Sequence, residues 1–194
     1  YNENQQQPAK PDGCDEGIVK GAYKLQESKK SDFGHVRILG SGPILQYARE
    51  AASFLESEFE ISSEVWSVTS YGELRREGME SERQNRLNPQ SQKSAYVSDC
   101  FGDDTPTIAV SDYIVAVPEM IQRWVGGRFT VLGTDGFGRS DTREELRRFF
   151  EIDTKSIVLA ALSTLEREGT LKEGTVKEQS EKMGISRIRE DKAA

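Results

Sequence analysis

Two glycine-rich turns are the places where this sequence could hold a ligand. Gly40-Ser41-Gly42-Pro43 separates an apolar run ending at Leu39 from a helical pattern opening at Pro43, and backbone amides at a helix N-terminus can hold a phosphate. The run supplies G-x-G, but Leu45 stands where a dinucleotide fold uses its third Gly or Ala. A tight strand-to-helix turn is therefore the favoured reading, with a nucleotide-sensing Rossmann-like module as the alternative. The second turn, Gly133-Thr134-Asp135-Gly136-Phe137-Gly138-Arg139-Ser140-Asp141, lies between an apolar run and a helical one. Its glycines permit left-handed backbone or close approach. Ser140 or Asp141 can cap the following helix, and Phe137 can fill a pocket or an interface. Asp135 and Asp141 oppose an anion, so a structural or interface role is expected of Gly133, Asp135, Phe137, Gly138, Arg139, Ser140 and Asp141 rather than a phosphate cradle.

Other reactive residues are isolated. His35 is the only histidine and has no second His to make a metal pair. Cys14 and Cys100 are too few and too far apart in sequence for a disulfide framework or a Cys-based zinc site. Glu80-Ser81-Glu82-Arg83 and Arg143-Glu144-Glu145 have the spacing of solvated helical ion pairs. No P-loop, G-x-S-x-G elbow or H-E-x-x-H occurs. No catalytic, cofactor-binding or metal-binding residue is expected in this chain. The net charge of -7 argues against a nucleic-acid surface. No apolar stretch is long enough to cross a bilayer, so no membrane partner and a cytoplasmic location are expected.

The elements that would carry these turns follow from periodicity. Helical turns are expected at 15–20 and an edge strand at 22–26. A buried strand at 36–39 precedes a helix whose Ile44, Ala48, Ala51, Leu55 and Phe59 share one face. A strand at 64–68 leads to a polar helix at 71–87, weakened by Gly78 and stopped by Asn88-Pro89. The segment 96–101 reads ambiguously as a short helix. Strands at 107–110 and 129–132 flank a helix expected at 113–125 despite Pro118, and helices follow at 143–150, 154–168 and 176–183. Alternation of this kind predicts an α/β fold, a three-layer sandwich with a mostly parallel sheet and helices on both faces. Residues 1–13, rich in Gln and Pro, read as an interdomain linker and suggest a piece of a longer protein. Residues 14–185 read as one domain, and 186–194 as a charged tail.

Three stretches carry a resemblance. The first comprises Asn2-Glu3-Asn4, Gly17-Ile18, Lys20-Gly21, Tyr23-Lys24-Leu25, Leu39-Gly40-Ser41-Gly42 and Arg49-Glu50-Ala51-Ala52. The second is Val68-Thr69-Ser70, Glu73-Leu74, Gly78, Glu82-Arg83, Asn85, Leu87 and Pro89. The third is Ser111-Asp112-Tyr113, the string from Val131 to Asp141, then Arg143-Glu144, Leu146-Arg147, Phe150-Glu151 and Asp153. Together they resemble the transketolase-like C-terminal domain of the large homodimeric pyruvate dehydrogenase component of bacteria. The Phe-Gly-x-Ser turn at Phe137 is similar to that of many transketolase C-terminal domains.

The resemblance implies a transketolase C-terminal-domain-like fold and a structural or dimerisation role. The implied parent uses thiamine diphosphate and Mg, held in its preceding domains, for oxidative decarboxylation of pyruvate and acetyl transfer to lipoyl groups. This chain lacks the family's Gly-Asp-Gly; its nearest string is Gly102-Asp103-Asp104. The chain alone is therefore expected to bind no cofactor and to be inactive. The implied partners are the preceding domains, a second subunit and the dihydrolipoyl acetyltransferase core. Transketolases place an Arg against the sugar phosphate where Asn2 aligns here, so Asn2, Glu3 and Asn4 form a candidate near-substrate turn. An interaction module, or the same domain of a 2-oxoglutarate dehydrogenase or a transketolase, are the alternatives.

Overall fold

Alternation along the inner strands sends apolar side chains to both sides of one sheet, and each side needs a helical cover. The computed structural model describes residues 8–29 and 31–185. In chain order the elements are α1 (Asp15–Lys20), β1 (Ala22–Glu27), β2 (His35–Gly40), α2 (Leu45–Phe59), β3 (Ser62–Val68), α3 (Tyr71–Leu87), α4 (Tyr96–Phe101), β4 (Thr107–Val110), α5 (Ala116–Glu119), β5 (Phe129–Leu132), α6 (Arg143–Phe149), α7 (Thr154–Arg167) and α8 (Thr175–Met183). The sheet order is β1-β3-β2-β4-β5. Strands β2 to β5 are parallel, and β1 pairs antiparallel with β3 through an irregularity between Lys24 and Gln26. The mostly parallel α/β sheet expected from the sequence is thus present, with an antiparallel edge.

One face of the sheet presents Val36, Ile38, Val65, Ile108 and Val110 to α2 and α7. Ala48, Ala51 and Ala52 make the α2 side of this contact shallow, which brings the helix close to the strands. Gly40 serves the same approach, because a Cβ there would stand 2.9 Å from the Leu45 Cα. The opposite face places Leu39, Trp66, Val68 and Ala109 under Tyr71 and Leu74 of α3, Val97 and Phe101 of α4, and Trp124. These two covers make the three layers.

Helix α3 has the bounds expected from the sequence, and two other elements differ from that reading. Within α3, Gly78 seats a neighbour, since a Cβ at this position would lie 2.8 Å from the Trp124 ring. The helix expected over 113–125 shrinks to α5 and a 3-10 turn at Gln122–Trp124. Pro118 cannot donate to the carbonyl a turn earlier, and its ring crowds that position. The backbone before it is also engaged elsewhere: Thr134 N–H donates to the Tyr113 carbonyl at 2.9 Å. Likewise α2 starts at Leu45 rather than at Pro43, which lies in a 3-10 turn at Gly42–Ile44.

Candidate functional site

Because β2 to β5 run parallel, the loops that follow them meet on one edge of the sheet. The connection from β2 leads to one side of it and the connection from β4 to the other. The boundary between β2 and β4 is therefore a topological switch point, the place where open α/β sheets take ligands. There Gly42 adopts φ 54°, and a Cβ on it would approach an Asp112 carboxylate oxygen at 3.9 Å.

The loop after β5 is built onto the loop after β4. Thr134 Oγ1 donates to the Asp112 carbonyl at 2.9 Å, and the Asp135 carboxylate accepts from Val115 N–H at 3.1 Å. Gly133 has to be glycine, since a Cβ would stand 2.7 Å from the Tyr113 carbonyl oxygen. Gly133 and Asp135 thus tie the two loops together. Phe137 then projects outward at 74% exposure, with Tyr113 (56%) and Ile114 (53%) on the partner loop. Arg139 lies over the Phe149 ring at 4.2 Å. Gly138 faces open space, and Ser140 and Asp141 are exposed. The cap of α6 is Thr142, whose hydroxyl accepts from Glu145 N–H at 3.3 Å, rather than Ser140 or Asp141. Asp141 instead accepts from Thr142 N–H at 2.7 Å. Asn2, Glu3 and Asn4 lie outside the described residues, as do most of the linker and the tail at 186–194.

A second cluster escaped the sequence reading. Arg37 of β2 and Glu64 of β3 are register partners, as are Arg37 and Thr107 of β4. Both charged residues are buried, at 3% and 4% exposure. The Arg37 guanidinium donates to Glu64 through Nε and to Asp103 at 2.9 Å, and lies 5.5 Å from the Phe101 ring centre. Lys24 reaches the other Glu64 oxygen at 2.8 Å. Burial pushes the Glu64 carboxyl upward, but Lys24 and Arg37 together outweigh it and hold the group below its ordinary value. The available signal was one charged residue in each strand, Arg37 among aliphatic neighbours and Glu64 in a strand that also carries three serines.

Asp103 also bears on the cofactor question. In Gly102-Asp103-Asp104 the first carboxylate is committed to Arg37 and to Thr105 N–H at 3.2 Å. Gly126 and Gly127 sit against the carbonyls of this segment. This arrangement does not fit a magnesium diphosphate site. Among the described residues, no group of three His, Cys, Asp or Glu side chains could hold a metal ion, and no helix is long and apolar enough to cross a membrane. His35 Nδ1 pairs with Ser62 Oγ at 2.8 Å in a strand-edge contact. Burial raises the Cys100 thiol, which keeps it protonated.

The family described as transketolase-like TK C-terminal domain matches residues 21–153. The chain belongs to this family. It is 50% identical over 187 residues to the pyruvate dehydrogenase E1 component of Pseudomonas aeruginosa, covering 95% of this chain and 21% of that protein. The corresponding protein of Escherichia coli K12 is 42% identical over 186 residues, with 95% and 21% covered. The chain thus spans about a fifth of the length of these relatives. Among solved structures, transketolase from Leishmania mexicana superposes with a TM-score of 0.54 at 20% identity, over 78% of this chain and 19% of that one. Transketolase from Campylobacter jejuni gives 0.51 at 22% identity, over 75% and 19%. The transketolases share the fold of this C-terminal domain. The matched segment ends before α7, although that helix supplies Ile157, Val158, Ala161 and Leu162 to the core.

Proposed function

We propose that this chain is the C-terminal structural domain of a homodimeric, thiamine-diphosphate-dependent pyruvate dehydrogenase component, and that it supplies docking rather than chemistry. The observation that carries the reading is 50% identity over 95% of the chain to a pyruvate dehydrogenase E1 component. The parent enzyme would decarboxylate pyruvate oxidatively in the cytoplasm and pass the acetyl group to lipoyl groups of a dihydrolipoyl acetyltransferase core. Thiamine diphosphate and Mg would be held by its other domains.

In this reading the folded unit runs from 14 to 185, since Cys14 is buried and α8 packs on α7. The docking surface is the loop Gly133–Asp141 with its neighbour at Tyr113 and Ile114. Exposed aromatic and aliphatic groups on glycine-anchored loops are suited to burial against another domain or subunit. Asn2, Glu3 and Asn4 would approach the substrate from the linker. The test is a calorimetric titration of the chain with thiamine diphosphate and Mg²⁺, run beside a pyruvate decarboxylation assay. The expected result is neither binding nor turnover in the chain and both in the parent enzyme. Saturable binding with turnover by the chain alone would overturn the assignment.

A further inference from the structure

Helix α3 has two unlike faces. The inner one seats Tyr71, Leu74 and Gly78 in the core, and Glu77 beside them accepts from Tyr96 N–H at 2.9 Å. The outer one carries Arg75, Met79, Arg83 and Leu87, all exposed and spaced by four. Residues at that spacing form one ridge along a helix, here about 18 Å long from first to last. Met79 is 44% and Leu87 61% exposed, so neither serves the core of this domain. Arg76 and Arg86 stand beside the ridge and are exposed as well.

The needs of the helix itself account for only part of this charge. Arg76 pairs with Glu73, and Arg83 with Glu80 at 3.3 Å, each one turn away. Arg86 lies in the last turn, where a cation suits the helix dipole. Arg75 lies toward the other end, where the dipole gives a cation no support, and it has no ion-pair partner among the described residues. The exposed loop beyond the helix is also held in place. Asn85 donates through Nδ2 to the Lys93 carbonyl and accepts at Oδ1 from Lys93 N–H, both at 2.8 Å. Arg75, Arg76, Arg83, Arg86 and Lys93 thus gather on one helix and the loop clamped to it. In a chain of net charge -7 this is a local reversal of sign.

We propose that the outer face of α3 docks an acidic amphipathic helix of another protein. The ridge would enter the groove between two side-chain rows of that helix. Aliphatic groups of the partner would cover Met79, Leu87 and the Arg83 stem between them, and its carboxylates would meet the guanidinium groups of Arg75, Arg83 and Arg86. The apolar groups on this face favour a protein over a nucleic acid, because Met79 and Leu87 offer no aromatic ring on which a base could stack. The surface shares no residue with the Gly133–Asp141 loop or with Tyr113 and Ile114, so it goes beyond the docking role proposed for them.

The test follows the fluorescence anisotropy of a labelled, alanine-based peptide helix that carries Leu in one i, i+4 row flanked by rows of Glu. The same helix with Lys in place of Glu, and polyuridylate, serve as the other titrants. The acidic helix should bind the chain saturably and weaken as salt is raised, while the lysine helix should not bind. Arg75→Glu combined with Arg86→Glu should weaken binding by at least about tenfold, and Leu87→Ser by about threefold. Both variants should keep the urea midpoint of the parent chain, since the side chains are exposed. Absence of saturable binding, or equal binding in the double variant, would overturn the proposal. Polyuridylate bound as tightly as the acidic helix would assign the face to nucleic acid instead. Binding that is present in the chain but lost in the parent enzyme would assign it to the parent's own domains. None of these failures touches the docking assignment, which is read from cofactor binding and assembly.

Discussion

Two regions of this domain reverse the usual distribution of polarity, and they do so with opposite consequences. At the carboxyl edge, Phe137, Tyr113 and Ile114 stand in water on loops that Gly133 and Asp135 hold in place. Inside the α3/α4 face, Arg37 and Glu64 are buried as ions. The buried ions find their partners within the chain, in Lys24, Asp103 and Thr107. The exposed rings do not have their surface covered by the described residues. The comparison separates a region whose polar groups are satisfied within the domain from one that, under the proposed docking role, another surface would cover.

The sharpest way to break the comparison is to unpair the ions. Arg37→Met leaves Glu64 buried with Lys24 as its remaining cation, and should cost about 3–5 kcal/mol in urea unfolding. Arg37→Met combined with Glu64→Leu should recover most of that loss, because removing both charges removes the desolvation cost too. If the double variant is no more stable than the single one, the network does more than satisfy itself. A smaller effect is expected at Gly78→Ala. The substitution favours helix, yet its methyl meets the Trp124 ring, so a net loss of about 1–3 kcal/mol should appear as an earlier urea midpoint.

Acid should act on the ion cluster and spare the exposed edge. Glu64 and Asp103 are both held below their ordinary carboxylate values in the folded state, Glu64 by Lys24 and Arg37, and Asp103 by Arg37 and Thr105, each against an opposing push from burial. A depressed carboxylate contributes stability that is fully present above the unfolded value, about 4. That contribution is lost as pH falls through the lower folded values. Urea midpoints measured across this window should fall steeply in the parent chain and less steeply in Arg37→Met. The smallest effect belongs to the edge: Phe137→Ala in the chain alone should shift stability by less than about 0.5 kcal/mol, since the ring is already in solvent.

The two regions also differ in how far the sequence revealed them. Strands at Thr107–Val110 and Phe129–Leu132 and the helix at Tyr71–Leu87 carry clear local patterns, and the structure has them at those positions. The glycine-rich loop was visible as well, although its cap is Thr142. The helix expected over 113–125 failed because its backbone bonds with residues about 20 positions later, a tertiary contact that local periodicity does not encode. The Arg37–Glu64 pair was hidden for a related reason. Each residue is the single Asp, Glu, Lys or Arg of its strand until parallel register sets them side by side.

The central claim is that the carboxyl edge serves assembly and not catalysis, and the dimer dissociation constant of the parent enzyme carrying Phe137→Ala tests it most directly. Sedimentation should show a weakened dimer, by about 2–4 kcal/mol where the ring is fully buried at the contact, with turnover per intact dimer unchanged. An unaltered dimer with reduced turnover would contradict the account and place the Phe137 loop in the chemistry instead.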